Sequence, residues 1–206
     1  MRTLRIDQLR PTQMTHGLRE VRQKIKAYRK LKGHDLEMAI AEKPVPIVYG
    51  PDQAPYVIDH HHVAAALWQA KVKRVPFVLF KDLSHLSMAE FWLTLENNRW
   101  TYPYNALGQR VTFLDMPQHV WDLENDEFRS LSASVRDAGG YEKTSVPLEE
   151  FRWADFFRRH LPSPHSDAEF DSLVKKAVEL AKSRAALGLP GYLGPTDDQL
   201  SAFVKA

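Results

Sequence analysis

Three short apolar runs fix most of what this chain can become: VPIVY at 45–49, PYVID at 55–59 and VPFVLF at 75–80. Valine, isoleucine, tyrosine and phenylalanine dominate them, and such side chains suit a pleated, half-buried surface. GPDQA separates the first two runs. Its Gly, Pro and Asp are turn formers, so two neighbouring strands are expected there. Between the second and third runs, Val63, Ala64, Leu67 and Trp68 recur at helical spacing and predict about three turns of helix from residue 60. Strand, turn, strand, helix, strand is an α/β order. At its one strand-to-helix seam stand Asp59, His60, His61 and His62.

The flanks add to this frame. RTLRID predicts a short strand with Leu4 and Ile6 on one face. Leu18, Val21, Ile25 and Tyr28 then predict a helix whose other face carries Arg19, Arg22, Lys26 and Arg29. Residues 35–42 add a short helix. Ser87 and Glu90 form a capping box for a helix running to about Asn97. Beyond it the chain reads as mostly helical, over 126–138, 148–161 and 168–186, with Ser166 and Glu169 as a second box. Leu148, Phe151 and Ala154 mark a core face, and LGLPGYLGPTDD ends helical order near Leu187, leaving a tail or docking segment. The division expected is an α/β (α+β) domain over 1–100 and a helical extension over 101–206 packed on it.

The 206 residues are 44% apolar, enough for a real core, and contain no cysteine. Disulfides, thiolate metal sites and thiol catalysis are therefore excluded, and a reducing compartment fits. No run approaches a membrane span and no signal core opens the chain, so a soluble, cytoplasmic protein is expected. Charge is uneven. Residues 1–33 hold ten Lys/Arg against two Asp/Glu, a balance of +8 in a chain totalling +2, so the remainder carries −6. A basic N-terminal face suits a phosphate-bearing partner, or is simply a solvated helix face.

The seam has the chemistry to match. A helix N-terminus exposes unpaired N–H groups at the positive end of its dipole, which favours anions. Asp59 is placed to cap the helix, with His60–His62 in its first turn. Successive residues are about 100° apart, so one or two imidazoles face a ligand while another turns inward or to solvent. A helical zinc site needs histidines at i and i+4, and Val-Ala-Ala-Ala at 63–66 removes that geometry. Asp59 with one histidine and a distant ligand remains an alternative site for a divalent cation, and a plain cap with incidental histidines is the third reading.

In order, the PTQ loop, basic helix, PIVYGPDQAPYVIDHHH, alanine-rich helix and VPFVLF resemble the ParB/sulfiredoxin-like superfamily, and most closely the ParB-like nuclease family. NNRWTYPYNALG (97–108), FRSLSASVRDAGGY (128–141) and EEFRWADFFR (149–158) extend the likeness to about residue 161. The resemblance implies a small mixed sheet with flanking helices and a tetrapeptide that holds phosphate at a helix N-terminus. Partitioning relatives carry G-E-R-R at the place of Asp59–His62. His62 thus replaces an arginine fork with a group that titrates near neutrality. Sulfiredoxin chemistry needs a cysteine and is excluded. Free-serine kinase relatives start the motif with D-H and use a glutamate base, which would make Glu20 the partner of Asp59 and His60. The alternative for Glu20 is an ion pair with Lys24.

The candidate catalytic residues are thus Asp59, His60, His61 and Glu20. Gln13, His61, His62, Lys24, Arg99 and Trp100 are the candidates for phosphate or nucleotide, Trp100 as a base platform or as core packing. The implied cofactors are ATP, ADP or another nucleotide, with magnesium, and the implied partner is a nucleotide or nucleic acid. Two functions stay open: a phosphate-directed enzyme (nuclease, nucleotide hydrolase or kinase), or a non-catalytic nucleotide- or DNA-binding module. No defensible helix-turn-helix follows residue 86.

Overall fold

The computed structural model describes residues 2–195. In chain order its first unit contains β1 (Thr3–Arg5), β2 (Arg10–Pro11), β3 (Thr15–His16), α1 (Leu18–Lys30), α2 (Gly33–Ala41), β4 (Val45–Tyr49), β5 (Pro55–Val57), α3 (His61–Gln69), β6 (Arg74–Asp82), α4 (Met88–Asn97) and β7 (Glu124–Asn125). Five strands make a mixed sheet in the order β1-β6-β4-β5-β2, and β3 pairs with β7 alone. β4 and β5 are the antiparallel pair expected around GPDQA, with Ile47 opposite Val57. Helix α3 is the crossover between β5 and β6, and β6 returns parallel to β4.

One core lies between the sheet and α1 and α3. Val21, Ile25 and Tyr28 of α1 meet Val63, Ala64 and Leu67 of α3 over Val45, Ile47 and Val57. Alanines on α3 keep it slim, which brings α1 close. A second core gathers Tyr56, Phe91, Trp92 and Leu95 beneath α4, whose capping box forms as expected from Ser87 and Glu90. VPFVLF is only half the buried strand expected. Val75 is buried, but Val78, Leu79 and Phe80 are 44%, 39% and 58% exposed. The reason is length: β1 pairs only with Arg74–Pro76, so β6 outruns its neighbour.

This unit extends to Asp126, so residue 100 falls inside it and not at its edge. Main-chain bonds explain the difference. Tyr102 N–H donates to Thr12 O at 2.9 Å, Glu124 N–H donates to Met14 O at 3.0 Å, and β7 runs parallel to β3. Backbone pairing of this kind leaves no pattern in side chains.

The second unit starts at Glu127. It holds α5 (Glu127–Asp137), α6 (Glu149–His160) and α7 (Asp167–Lys182) around Phe128, Trp153, Phe157, Phe170 and Leu173. Leu148 is not on the core face of α6: it is the N-cap, at φ 60°. Helix α7 stops at Lys182, short of 186, because Ser183 is extended (ψ 164°) and its hydroxyl caps a short 3-10 turn at 184–186. The second capping box is half formed. Ser166 Oγ accepts from Glu169 N–H, but the Glu169 carboxylate accepts from His165 N–H. The tail beyond Pro195's neighbourhood, 196–206, lies outside the described residues. Among those described, no helix is long and apolar enough to cross a membrane.

Candidate phosphate site at the N-terminus of α3

β5 ends at Val57, Ile58 N–H donates to Pro46 O at 3.0 Å, and the chain then turns sharply. His60 makes that turn in the left-handed region, φ 63° and ψ 24°. A non-glycine residue there costs about 1–2 kcal/mol. His60 is therefore the N-cap, and Asp59 stands one residue outside the helix, a correction to its expected role as cap. Its exposed carboxylate still binds the turn: Asp59 Oδ1 accepts from His60 N–H at 2.6 Å. No side chain caps α3, and Val63 and Ala64 N–H both donate to His60 O at 2.9 and 3.0 Å. A left-handed residue next to a helical one turns successive N–H groups toward one point, the local geometry of an anion nest.

His61 is the imidazole that turns inward. It is 3% exposed, and its Nε2 accepts from Thr12 N–H at 3.0 Å. An amide can only donate, so Nε2 carries no proton. The ring is neutral with its proton on Nδ1, and the Val57 carbonyl accepts from the ring. Burial above all, then the neighbouring His16 and His60, pushes its pKa down to about 3. His61 thus holds the Thr12 loop against the seam. Buried and bonded through Nε2 to the Thr12 amide, it is placed as a positioning residue.

His60 is oriented differently. Its Nδ1 lies 3.0 Å from Pro44 O, an acceptor, so Nδ1 carries the proton and Nε2 is the basic nitrogen. The half-buried ring leaves that nitrogen suited to proton transfer. Lys43, beside Pro44, is close enough to Lys24 to depress its pKa, second to partial burial and against the pull of Glu20. Glu20 and Lys24 on α1 therefore interact as the i, i+4 pair suggests. His62 is half-buried in the first turn of α3.

The remaining candidates divide. Gln13 follows Thr12, and its amide donates to Thr15 O at 2.7 Å, which shapes the loop. Thr12 Oγ1 lies 2.7 Å from both Val57 O and Trp100 O, so Trp100 reaches the site through its carbonyl. Its ring packs with the Phe91 cluster and meets Phe80 edge-on, 6.4 Å between centroids. Arg99 is exposed at the end of α4, at φ 57°, and among the described residues no hydrogen bond joins it to the seam. His16 was not singled out in the sequence. It is 6% exposed and close enough to His61 to act on its charge. Its signal was weak: one histidine in PTQMTHG, brought in by the loop.

Asp59 supplies one hard carboxylate, and among the described residues no three His, Asp or Glu side chains gather as a metal site.

The family model for "Putative ParB-like nuclease" matches residues 2–159. A crystal structure of protein Atu1540 from Agrobacterium tumefaciens is 40% identical to this chain. It superposes with a TM-score of 0.85, covering 95% of this chain and 98% of that one. No curated protein matches.

Proposed function

The chain belongs to the ParB-like nuclease family, whose name points to a nucleic-acid-related role, and from that premise we propose that the N-terminus of α3 is a phosphate-directed active site acting on nucleic acid. The observation that carries this reading is His60. It holds a costly left-handed backbone at an uncapped helix start, and its ring is aimed by Pro44 O. Strain of this kind persists where surrounding structure enforces it and clusters at functional sites.

The first turn of α3 and its helix dipole receive the phosphate. His62 and Lys24 add positive charge beside it. His60 Nε2 exchanges a proton with the attacking or leaving oxygen, and Asp59 orients the turn through its amide. His61 keeps the Thr12–Gln13 loop in place, and Glu20 tempers Lys24. No step is routed through a metal.

A second reading, nucleic-acid binding without turnover, is favoured by the exposed cations Arg22, Lys26 and Arg29 on α1. His60→Asn separates the two. Asparagine tolerates the left-handed region, so the fold is kept while the imidazole is lost. Hydrolysis of single- and double-stranded oligonucleotides should fall by about 100-fold or more. Wild-type protein without turnover on these substrates, or an undiminished rate in the variant, would refute the catalytic reading.

A further inference from the structure

At the opposite end of α3 the first unit has a cleft of about 610 Å³, a volume typical of small-ligand sites. Four cations line it, Arg5, Lys71, Lys73 and Arg74, against one carboxylate, Asp7, together with Trp68. Helix α3 spans nine residues, so its two ends stand about 14 Å apart.

The cations are not loosely scattered. Arg74 is anchored, Nε donating to Thr3 Oγ1 and Nη2 to Thr3 O, both at 3.0 Å. Arg5 is paired with Asp7. Lys71 is the informative one. Helix α3 ends in a Schellman motif, with Val72 N–H donating to Leu67 O at 3.0 Å and Lys71 at φ 66°. That position is ordinarily glycine. A lysine there pays strain for its side chain, which then lies in the cleft.

The aromatic wall has its own support. Trp68 stacks on Trp121 with centroids 4.0 Å apart and 18° between planes, and His119 stacks on the other face of Trp121 at 4.2 Å. Trp68 is thus braced by Trp121 and lines the cavity. A braced indole beside a surplus of cations matches a base joined to a phosphate: the ring takes the flat base and the cations take the charge.

We propose that this cleft is a second nucleotide-recognition site, in which Trp68 stacks on a nucleobase and Lys71, Lys73 and Arg74 hold its phosphate. It is independent of the α3 N-terminus. The ligand is either a single-stranded nucleic acid or a free nucleotide, and these share one chemistry.

The test is a titration of the full chain followed by NMR, read at the Trp68 indole N–H and the Lys71 and Lys73 amides, with a thymidine tetranucleotide and with AMP as probes. Both probes should shift these signals. Affinity at least about tenfold higher for the tetranucleotide identifies nucleic acid as the ligand, and equal affinities identify the free nucleotide. Lys71→Gly should weaken the affinity read at the Trp68 indole about tenfold and lower its salt dependence by about one counterion. Its thermal stability should hold or rise, because the left-handed strain is removed, and this separates a ligand contact from a structural role. His60→Asn should leave the affinity read at Trp68 unchanged, so failure of the α3 N-terminal site would appear elsewhere. No shift at Trp68 with either probe at millimolar concentration, or wild-type affinity in Lys71→Gly, overturns the proposal.

Discussion

Replacing His61 by glutamine should change how stability depends on pH, and the size of the effect follows from burial. In the folded protein His61 is neutral, with its pKa near 3 against an ordinary 6.5. The unfolded chain therefore binds one more proton than the folded chain between these values, so stability falls as pH drops through that window. At about pH 4.5 the unfolded imidazole is about 99% protonated and the folded one almost wholly neutral, a penalty on the order of 3 kcal/mol that is nearly absent at about pH 7.5. Glutamine can still accept from Thr12 N–H and donate to Val57 O, but it does not titrate. Urea unfolding of both proteins across this range, with hydrogen exchange at the Thr12 amide as a local probe, gives the difference directly. Wild type minus variant should grow by about 2–3 kcal/mol from pH 4.5 to pH 7.5. A difference that stays flat would mean that His61 charges freely in the folded state, and the neutral hub would be wrong.

Two further outcomes follow. Asp59→Asn keeps an oxygen for the His60 amide and removes only charge, so stability should stay within about 0.5 kcal/mol. Because Asp59 acts through the His60 amide, turnover should change little, and phosphate affinity should hold or rise once a carboxylate beside the phosphate is removed; parallel rate and binding assays check both. In the second unit, Gly191→Ala would place a Cβ 1.9 Å from Glu142 O at φ 72°. A loss of about 2 kcal/mol or more is expected, read by fluorescence of Trp153, whose indole donates to Pro190 O at 2.8 Å.

Side-chain pattern and main-chain geometry were not equally legible in the sequence. The apolar spacing of Val21, Ile25 and Tyr28 announced α1, and Ser87 with Glu90 announced the start of α4, because each signal lies in local side-chain chemistry. The seam at 57–62 was legible for the same reason. Its details were not. His60 takes the left-handed turn that Asp59 was expected to cap, since only the tertiary path from β5 into α3 demands it. Thr12 joins the site through its bonds to the His61 ring, the Val57 and Trp100 carbonyls and the Tyr102 amide, and His16 through pairing of β3 with β7; no local period encodes these. The Trp68–Trp121 stack joins residues far apart in sequence, and Lys71 occupies a glycine position that composition does not betray.

Backbone amide NMR tests most directly whether phosphate binds at the N-terminus of α3. Titration with inorganic phosphate and then with a short oligonucleotide should move the amides of His60, His61, His62 and Val63 first, with a saturable response that weakens at higher salt. If those four amides stay still while signals elsewhere respond, the phosphate site is not at His60 and the account fails.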